Sequence, residues 1–370
     1  LSAKNYGAVI IFTDKTISKF VHLSFMIEAV ANPYSWNERM DLIQTNGQPR
    51  YGRFDQVPSR INLDDYIYKT PYGQVLTGWR KQLKYKKFKF CGLQHEHYSI
   101  GVAIVDLSWA GHAFFYIYDH QTKKVIEWNA IQPLAFKTQL DEQPLFSQSS
   151  FKKSAYQFDM QHANGVRYIQ VSKHGEIQLK ARIFCAGTDA LSLCSPTGIN
   201  GWTYTQKQTT LAVEGFFISP AQQKIEFNAY SLAALDDTCG FLRPETAWFW
   251  LSCQFRDAQD RRIGINLASG VNESFGNENA LWVNGRLYPL TDALFEQKNE
   301  NTWSIRSLGG CLNLVVETGW CRFENINLRL IGSQFNQWQA KVSGTIAHEQ
   351  VELVALDNEY GLLEQHYAKW

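Results

Sequence analysis

The sequence predicts an all-β protein with two antiparallel barrels or sandwiches in tandem and few helices. Three observations carry this. Short apolar or alternating runs recur between Gly, Pro and Asn signals, while strongly periodic helical segments are scarce. Aromatic residues make up 14% of the chain, a content that favours strands and enclosed cavities. A short echo joins the two halves: Ile100-Gly-Val-Ala-Ile then Ala113-Phe-Phe-Tyr-Ile, and Ile263-Gly-Ile-Asn-Leu then Ala280-Leu-Trp-Val. A duplication would put the boundary near 196–201.

Composition sets the limits. A chain of 370 residues has room for two domains. With 45% hydrophobic and 19% charged residues it is foldable rather than disordered. A net charge of +1 provides no field to steer it to nucleic acid. The seven cysteines are odd in number and form no Cys-x-x-Cys pair, which argues against a disulfide framework and a structural zinc site. Free thiols in apolar strands indicate a reducing, cytoplasmic setting. No uninterrupted apolar run is long enough to span a bilayer.

Residues 1–39 read as an appended leader ahead of a natural-looking start at Met40, with a helix over 14–30 capped by Thr13 or Asp14 and ended by Asn32-Pro33. Pro58, Pro71 and Gly73 break a polar loop. The basic run 80–89 suits a solvated strand with snorkelling lysines better than a phosphate- or membrane-facing patch. Strands are expected at 98–106, 112–119 and 125–128, and a hairpin at 166–172 and 176–184. Further strands are expected at 189–194, 202–208, 214–218 and 224–230, then at 303–306, 311–316, 320–331, 341–348 and 351–356.

The stretch 236–290 organises the rest. Side chains alternate across a strand, so Ala247, Phe249, Leu251, Cys253 and Phe255 share a wholly apolar face. Trp248, Trp250, Ser252 and Gln254 share the other, where large rings sit among hydrogen-bonding groups. That mixture suits a ligand cavity, and equally a tryptophan pair at the seam between two sheets. Around it lie Asp236, Asp237, Arg243, Glu245, Asn266, Glu273 and Glu278. A carboxyl against aromatic walls gains a raised pKa and can act as an acid; one beside Arg243 stays ionised. For each residue singly, an ion pair closing a loop is the plainer role. His95 and His97 have a metal-compatible spacing but lack a third ligand, so exposed strand histidines are expected and no metal site. No nucleophile elbow, phosphate-binding loop or dinucleotide fingerprint is present, and no cofactor is expected.

Four motifs carry a resemblance: Trp202-Thr-Tyr-Thr-Gln-Lys, Asp237-Thr-Cys-Gly-Phe-Leu-Arg-Pro-Glu-Thr-Ala-Trp-Phe-Trp, Gly264-Ile-Asn-Leu-Ala-Ser-Gly and Glu278-Asn-Ala-Leu-Trp-Val-Asn-Gly. Together with the closing Gly361-Leu-Leu-Glu-Gln-His-Tyr-Ala-Lys-Trp, they look like an uncharacterised bacterial domain family. That family resembles, more distantly, the carotenoid 1,2-hydratase and AttH group. The resemblance implies two lipocalin-like β domains, placed here at 40–197 and 198–370, and an apolar ligand.

The expected partner is therefore a lipid-like or isoprenoid-like small molecule, with peripheral membrane contact allowed. Expected ligand-binding residues are Trp202, Tyr204, Trp248, Trp250, Asn266 and Trp282. The alternative is a hydratase, isomerase or cyclase acting by acid–base chemistry, with Asp237 or Glu245 as proton donor beside Arg243. A flat, open tryptophan face would instead suit a sugar. A buried acid within the Trp248/Trp250 cavity favours the enzyme; amides and hydroxyls alone favour the binder.

Overall fold

The structure is a computed structural model and describes residues 40–271, 276–328 and 331–370. The leader, the helix expected over 14–30 and Glu273 lie outside the described residues.

Two antiparallel sheets account for nearly all of it. The first contains β1 (Gly52–Arg53), β2 (Lys86–His95), β3 (Tyr98–Asp106), β4 (Ala110–Asp119), β5 (Val125–Pro133), β6 (Thr138–Gln139), β7 (Ser147–Lys153), β8 (Tyr156–Ala163), β9 (Val166–Lys173), β10 (Glu176–Phe184), β11 (Leu191–Thr197), β12 (Gly201–Ile218), β13 (Lys224–Glu226) and β14 (Leu232–Gly240). The second contains β15 (Glu245–Arg256), β16 (Arg262–Ser269), β17 (Ala280–Val283), β18 (Arg286–Pro289), β19 (Leu294–Asn299), β20 (Thr302–Arg306), β21 (Leu312–Leu328), β22 (Ile331–His348) and β23 (Val351–Lys369). Among the described residues the helical elements are a short α1 (Gly78–Gln82) and one 3-10 turn.

The two sheets repeat one topology. In each, a four-strand meander opens the unit: β2 to β5, and β15 to β18. In each, the last strand returns to pair with the first: β14 with β2, and β23 with β15. The echo falls on matching strands, with Gly101 on β3 and Gly264 on β16. Their cross-strand partners are Tyr116 and Trp282. Glycine is needed at both, because an added Cβ would stand 2.3 Å from the Tyr116 ring at Gly101 and 2.2 Å from the Thr209 methyl at Gly264.

Each sheet curls around its own core as a half-barrel. In the first, Phe115, Phe151, Phe158 and Val171 are sealed, and Trp128 on β5 stacks on Tyr156 of β8 across the curl at 4.3 Å. In the second, Leu251, Ile265, Leu314 and Leu363 are sealed. The apolar face expected on β15 is part of this core from Phe249 to Phe255; Ala247, at its start, is exposed.

Several elements differ from expectation. The signals at 196–201 are the turn of the β11–β12 hairpin inside the first sheet, and the chain passes between sheets at 241–244. Strands expected as separate pieces, such as 202–208 and 214–218, are single long strands; in β12 a bulge at Thr209 and Thr210 interrupts the pairing without ending the strand. The lysines of 80–89 do not simply snorkel. Lys81, Lys86 and Lys89 are buried, and Lys86 donates to the carbonyls of Leu83 and Leu107 at 2.8 Å each.

The half-barrels are joined through Gln254, on the second face of β15. Its Nε2 donates to the carbonyls of Gly92 on β2 and Leu232 on β14, each at 3.3 Å. Its Oε1 accepts from the Thr209 hydroxyl at 3.1 Å and from the Thr210 amide at 3.2 Å. The bulge frees that amide: Thr210 takes a left-handed φ of 61° and leaves the β12 ladder. All four hydrogen-bonding positions of one buried amide are thus satisfied by the opposite sheet. Gln254→Leu keeps similar bulk and orphans these groups, each costing about 1–3 kcal/mol. The variant is expected to lose at least about 3 kcal/mol in urea denaturation, and a loss under about 1 kcal/mol would show that the joint lies elsewhere.

Candidate functional site

A cavity of about 310 Å³ lies between the two sheets. Its wall from the first sheet includes Phe88 and Phe90 on β2, Val105 on β3 and Phe114 on β4; its wall from the second includes Trp248 and Trp250 on β15 and Phe335 on β22. The alternation of β2 explains the first wall. Phe88 and Phe90 turn to the seam, while Lys89 and Cys91 turn into the half-barrel.

Two carboxyls in the structure have opposite surroundings. Glu364, on β23, is buried and lines the cavity. Its Oε1 accepts from Trp248 Nε1 at 2.7 Å and its Oε2 from Gln337 Nε2 at 3.0 Å. Burial raises its pKa to about 7, the two hydrogen bonds and Lys207 opposing the rise and Asp236 adding to it. Asp237 faces the interior of the first half-barrel. It accepts from Arg167 at 2.6 and 3.2 Å and from Lys89 at 3.0 Å. These two cations outweigh its burial and hold its carboxyl well below the usual range.

Other polar groups ring the cavity. Lys207 pairs with Asp236 at 2.8 Å and Glu278 at 3.2 Å, and lies 5.3 Å above the Trp250 ring. Arg322 is sealed between Phe114 and Phe335, 3.8 and 4.9 Å from their centroids, with Glu127 and Glu324 each 3.6 Å from it. Burial lowers the pKa of His112, and that of His366 to about 3, so both are neutral at pH 7. Among the described residues no three His, Cys, Asp or Glu side chains are grouped to hold a metal ion. His95, expected to be exposed, is buried against Tyr98 and Phe217.

The structure divides the expected site residues. Trp248 and Trp250 line the cavity. Asn266 stands behind Trp250, accepting from its Nε1 at 2.7 Å and donating to the Glu278 carbonyl at 2.7 Å. Trp282 is packed against Leu191 and Leu193 and donates to the Asp189 carbonyl at 2.8 Å. Trp202 and Tyr204 belong to a separate aromatic core with Tyr66, Tyr85 and Phe241. Of the expected acid group, Asp237 is committed to Arg167 and Lys89. Glu245 is exposed and pairs with Lys369 at 3.2 Å. The Arg243 carbonyl accepts from Thr246 and Trp370. None of these three lines the cavity; for Asp237 the reason is that the strand alternation that carries Asp236 to the seam carries Asp237 away from it.

Sequence reasoning missed Glu364, His366, His112, Arg322 and Lys207 as site residues. The signal for the first two was present: in the closing run, Glu364 and His366 alternate with Leu363 and Gln365, which places both on one strand face.

Fold and site together define an all-β protein of two half-barrels with a carboxyl-bearing cavity at their seam. The chain belongs to the family described as Domain of unknown function (DUF2804), whose model matches residues 35–370. Among solved structures it is similar to kievitone hydratase from Nectria haematococca, at 9% identity over 77% of this chain and 88% of that one, with a TM-score of 0.44. It is also similar to a putative AttH from Nitrosomonas europaea, at 12% identity over 77% of this chain and 92% of that one, with a TM-score of 0.37. A search of curated proteins returns no match.

Asp237→Asn tests the division of roles. It leaves Arg167 and Lys89 buried without their counter-charge, and the expected loss is about 3–5 kcal/mol at pH 7. Because the folded-state pKa is depressed, this contribution is present above the unfolded value near pH 4 and fades as pH falls toward the folded one. Denaturation curves of the two proteins should therefore converge in acid; a small, pH-independent difference would contradict the ion cluster.

Proposed function

We propose that this protein binds an unsaturated, largely apolar molecule in the seam cavity and acts on it by acid–base chemistry, with Glu364 as proton donor. The observation that carries this reading is a buried carboxyl within the Trp248/Trp250 cavity, contacted by neutral donors alone. A binder needs apolar walls and one or two anchors; a carboxyl desolvated among rings goes beyond that need.

The chemistry follows from the surroundings. Glu364 passes its proton to one carbon of a double bond, whose π electrons form the new C–H bond. The cation left on the neighbouring carbon is flanked by the rings of Trp248, Trp250 and Phe90. The carboxylate that remains keeps the hydrogen bonds of Trp248 and Gln337, which strengthen as its charge appears. If water attacks the cation, its surplus proton returns to Glu364 and the net change is hydration. If an adjacent C–H gives up its proton instead, the double bond has moved.

The test begins with the molecule that co-purifies, identified by native mass spectrometry and returned to the protein in D2O. Wild type should place deuterium on carbon, with a rate that falls above about pH 7 as Glu364 loses its proton. Glu364→Gln should lose roughly two to four decades in that rate while the ligand still quenches tryptophan emission. Trp250→Ala should weaken the quenching itself. A wild type that leaves the ligand unlabelled, or a Glu364→Gln variant at full rate, would contradict the acid role.

A further inference from the structure

The cavity mouth has an uneven surface around it. Antiparallel register gathers several chain segments at one end of the first sheet: Lys86 pairs with Gly240, Lys87 with Asp106, Ala110 with Pro133 and Thr197 with Gly201. The cavity reaches this end, where Leu107, Trp109, Leu242 and the exposed Ile131 line it. The segments outside these strand ends are tied to one another. The Ser108 hydroxyl reaches the Gln82 carbonyl of α1 at 2.7 Å, the Leu134 amide donates to Trp109 at 2.7 Å, and Asn200 donates to the Thr70 carbonyl at 3.1 Å.

Large apolar side chains stand out from this end into solvent. Their exposure runs from 64% for Phe136 through 68% for Trp79, 76% for Ile199 and 78% for Leu134 to 98% for Tyr72. The turn carrying two of them is held in a costly conformation: Leu134, Ala135 and Lys137 all take left-handed φ values near 50°. The opposite end of the same strands has polar turns at Glu96-His97 and Gln121-Thr-Lys-Lys, with Tyr230 beside the start of β14 as its large exposed ring. Charge is uneven too. Segments 69–84 and 131–137 hold Lys69, Arg80, Lys84 and Lys137, all exposed, and not one carboxylate. The Arg80 guanidinium lies 5.5 Å from the Trp79 ring, and the Lys137 ammonium 5.3 Å from the Phe136 ring.

We propose that this end docks on an anionic lipid bilayer, with Trp79, Leu134 and Phe136 entering the interface and the four cations meeting the headgroups. Aromatic rings paired with cations are the side chains that settle at such an interface, and cations free of neighbouring acids gain most from its negative potential. Docking there sets the cavity mouth against the phase in which an apolar ligand dissolves, so the ligand reaches Trp250 without crossing water. The surface stands independently of whether Glu364 does chemistry.

The test uses the full chain and sedimentation with two vesicle types, phosphatidylcholine alone and phosphatidylcholine with about a third phosphatidylglycerol. Wild type should pellet with the anionic vesicles about tenfold more strongly than with the neutral ones, and the gain should fade between about 0.05 and about 0.5 M salt. Leu134→Ser with Phe136→Ser, and separately Lys137→Glu, should each cut that binding severalfold while the melting curve stays in place, since all three side chains are exposed. No pelleting by wild type, equal pelleting with both vesicle types, or unchanged pelleting by both variants would overturn the proposal.

Discussion

One buried amide, that of Gln254, makes four hydrogen bonds between the two half-barrels, beside the cross-sheet contacts of Lys207 with Glu278, Arg322 with Glu127 and Trp282 with the Asp189 carbonyl. Gln254 reaches from the second sheet to three strands of the first, and its four hydrogen bonds end on two backbone carbonyls, a threonine hydroxyl and the Thr210 amide that the bulge leaves out of the ladder. The bulge in β12 supplies one of those groups and Gly264 supplies the room. Along the same strand, at alternate positions, Trp250 and Trp248 follow on the same face. The joint therefore sets how far the tryptophans stand from Phe90 and Phe114, and so the size of the cavity. A hydrophobic residue at 254 would bury as well but would not choose between neighbouring registers.

The seam concentrates polar groups that neither half-barrel could hold alone. Inside the first half-barrel, Asp237 meets two cations and is fixed as an anion. At the seam, Glu364 meets an indole and an amide, each of which donates a hydrogen bond without bringing a charge. The same side-chain chemistry thus gives an ion in one place and a proton store in the other. His112 and His366 are kept neutral by burial, so they add no net charge beside Glu364. The mouth of the cavity shows the complementary arrangement, with exposed rings, and with cations but no acid on segments 69–84 and 131–137.

Much of the fold was legible because strand alternation is a local signal. The β15 pattern placed Phe249 to Phe255 in a core and Trp248, Trp250 and Gln254 on the other face, and the glycine echo matches the repeated topology. What the sequence hid depends on distant partners. Nothing near Asp237 reveals Arg167 and Lys89, which come from β9 and β2. Glu364 lies 116 residues from Trp248. The long strands β12, β21, β22 and β23 were read in pieces, because a bulge and a turn leave the same local marks. Arg243 and Glu245, beside the aromatic run in sequence, lie where the chain passes between sheets, where their neighbours Leu242 and Thr246 line the cavity and these two do not.

The proposed chemistry requires that Glu364 hold a proton within the folded protein. Difference infrared spectroscopy of wild type against Glu364→Gln isolates the carbonyl stretch of that one protonated carboxyl. The expected result is a band present at pH 5 that disappears with a midpoint near pH 7. A side chain already ionised at about pH 5, as an ordinary solvated glutamate is, would contradict it.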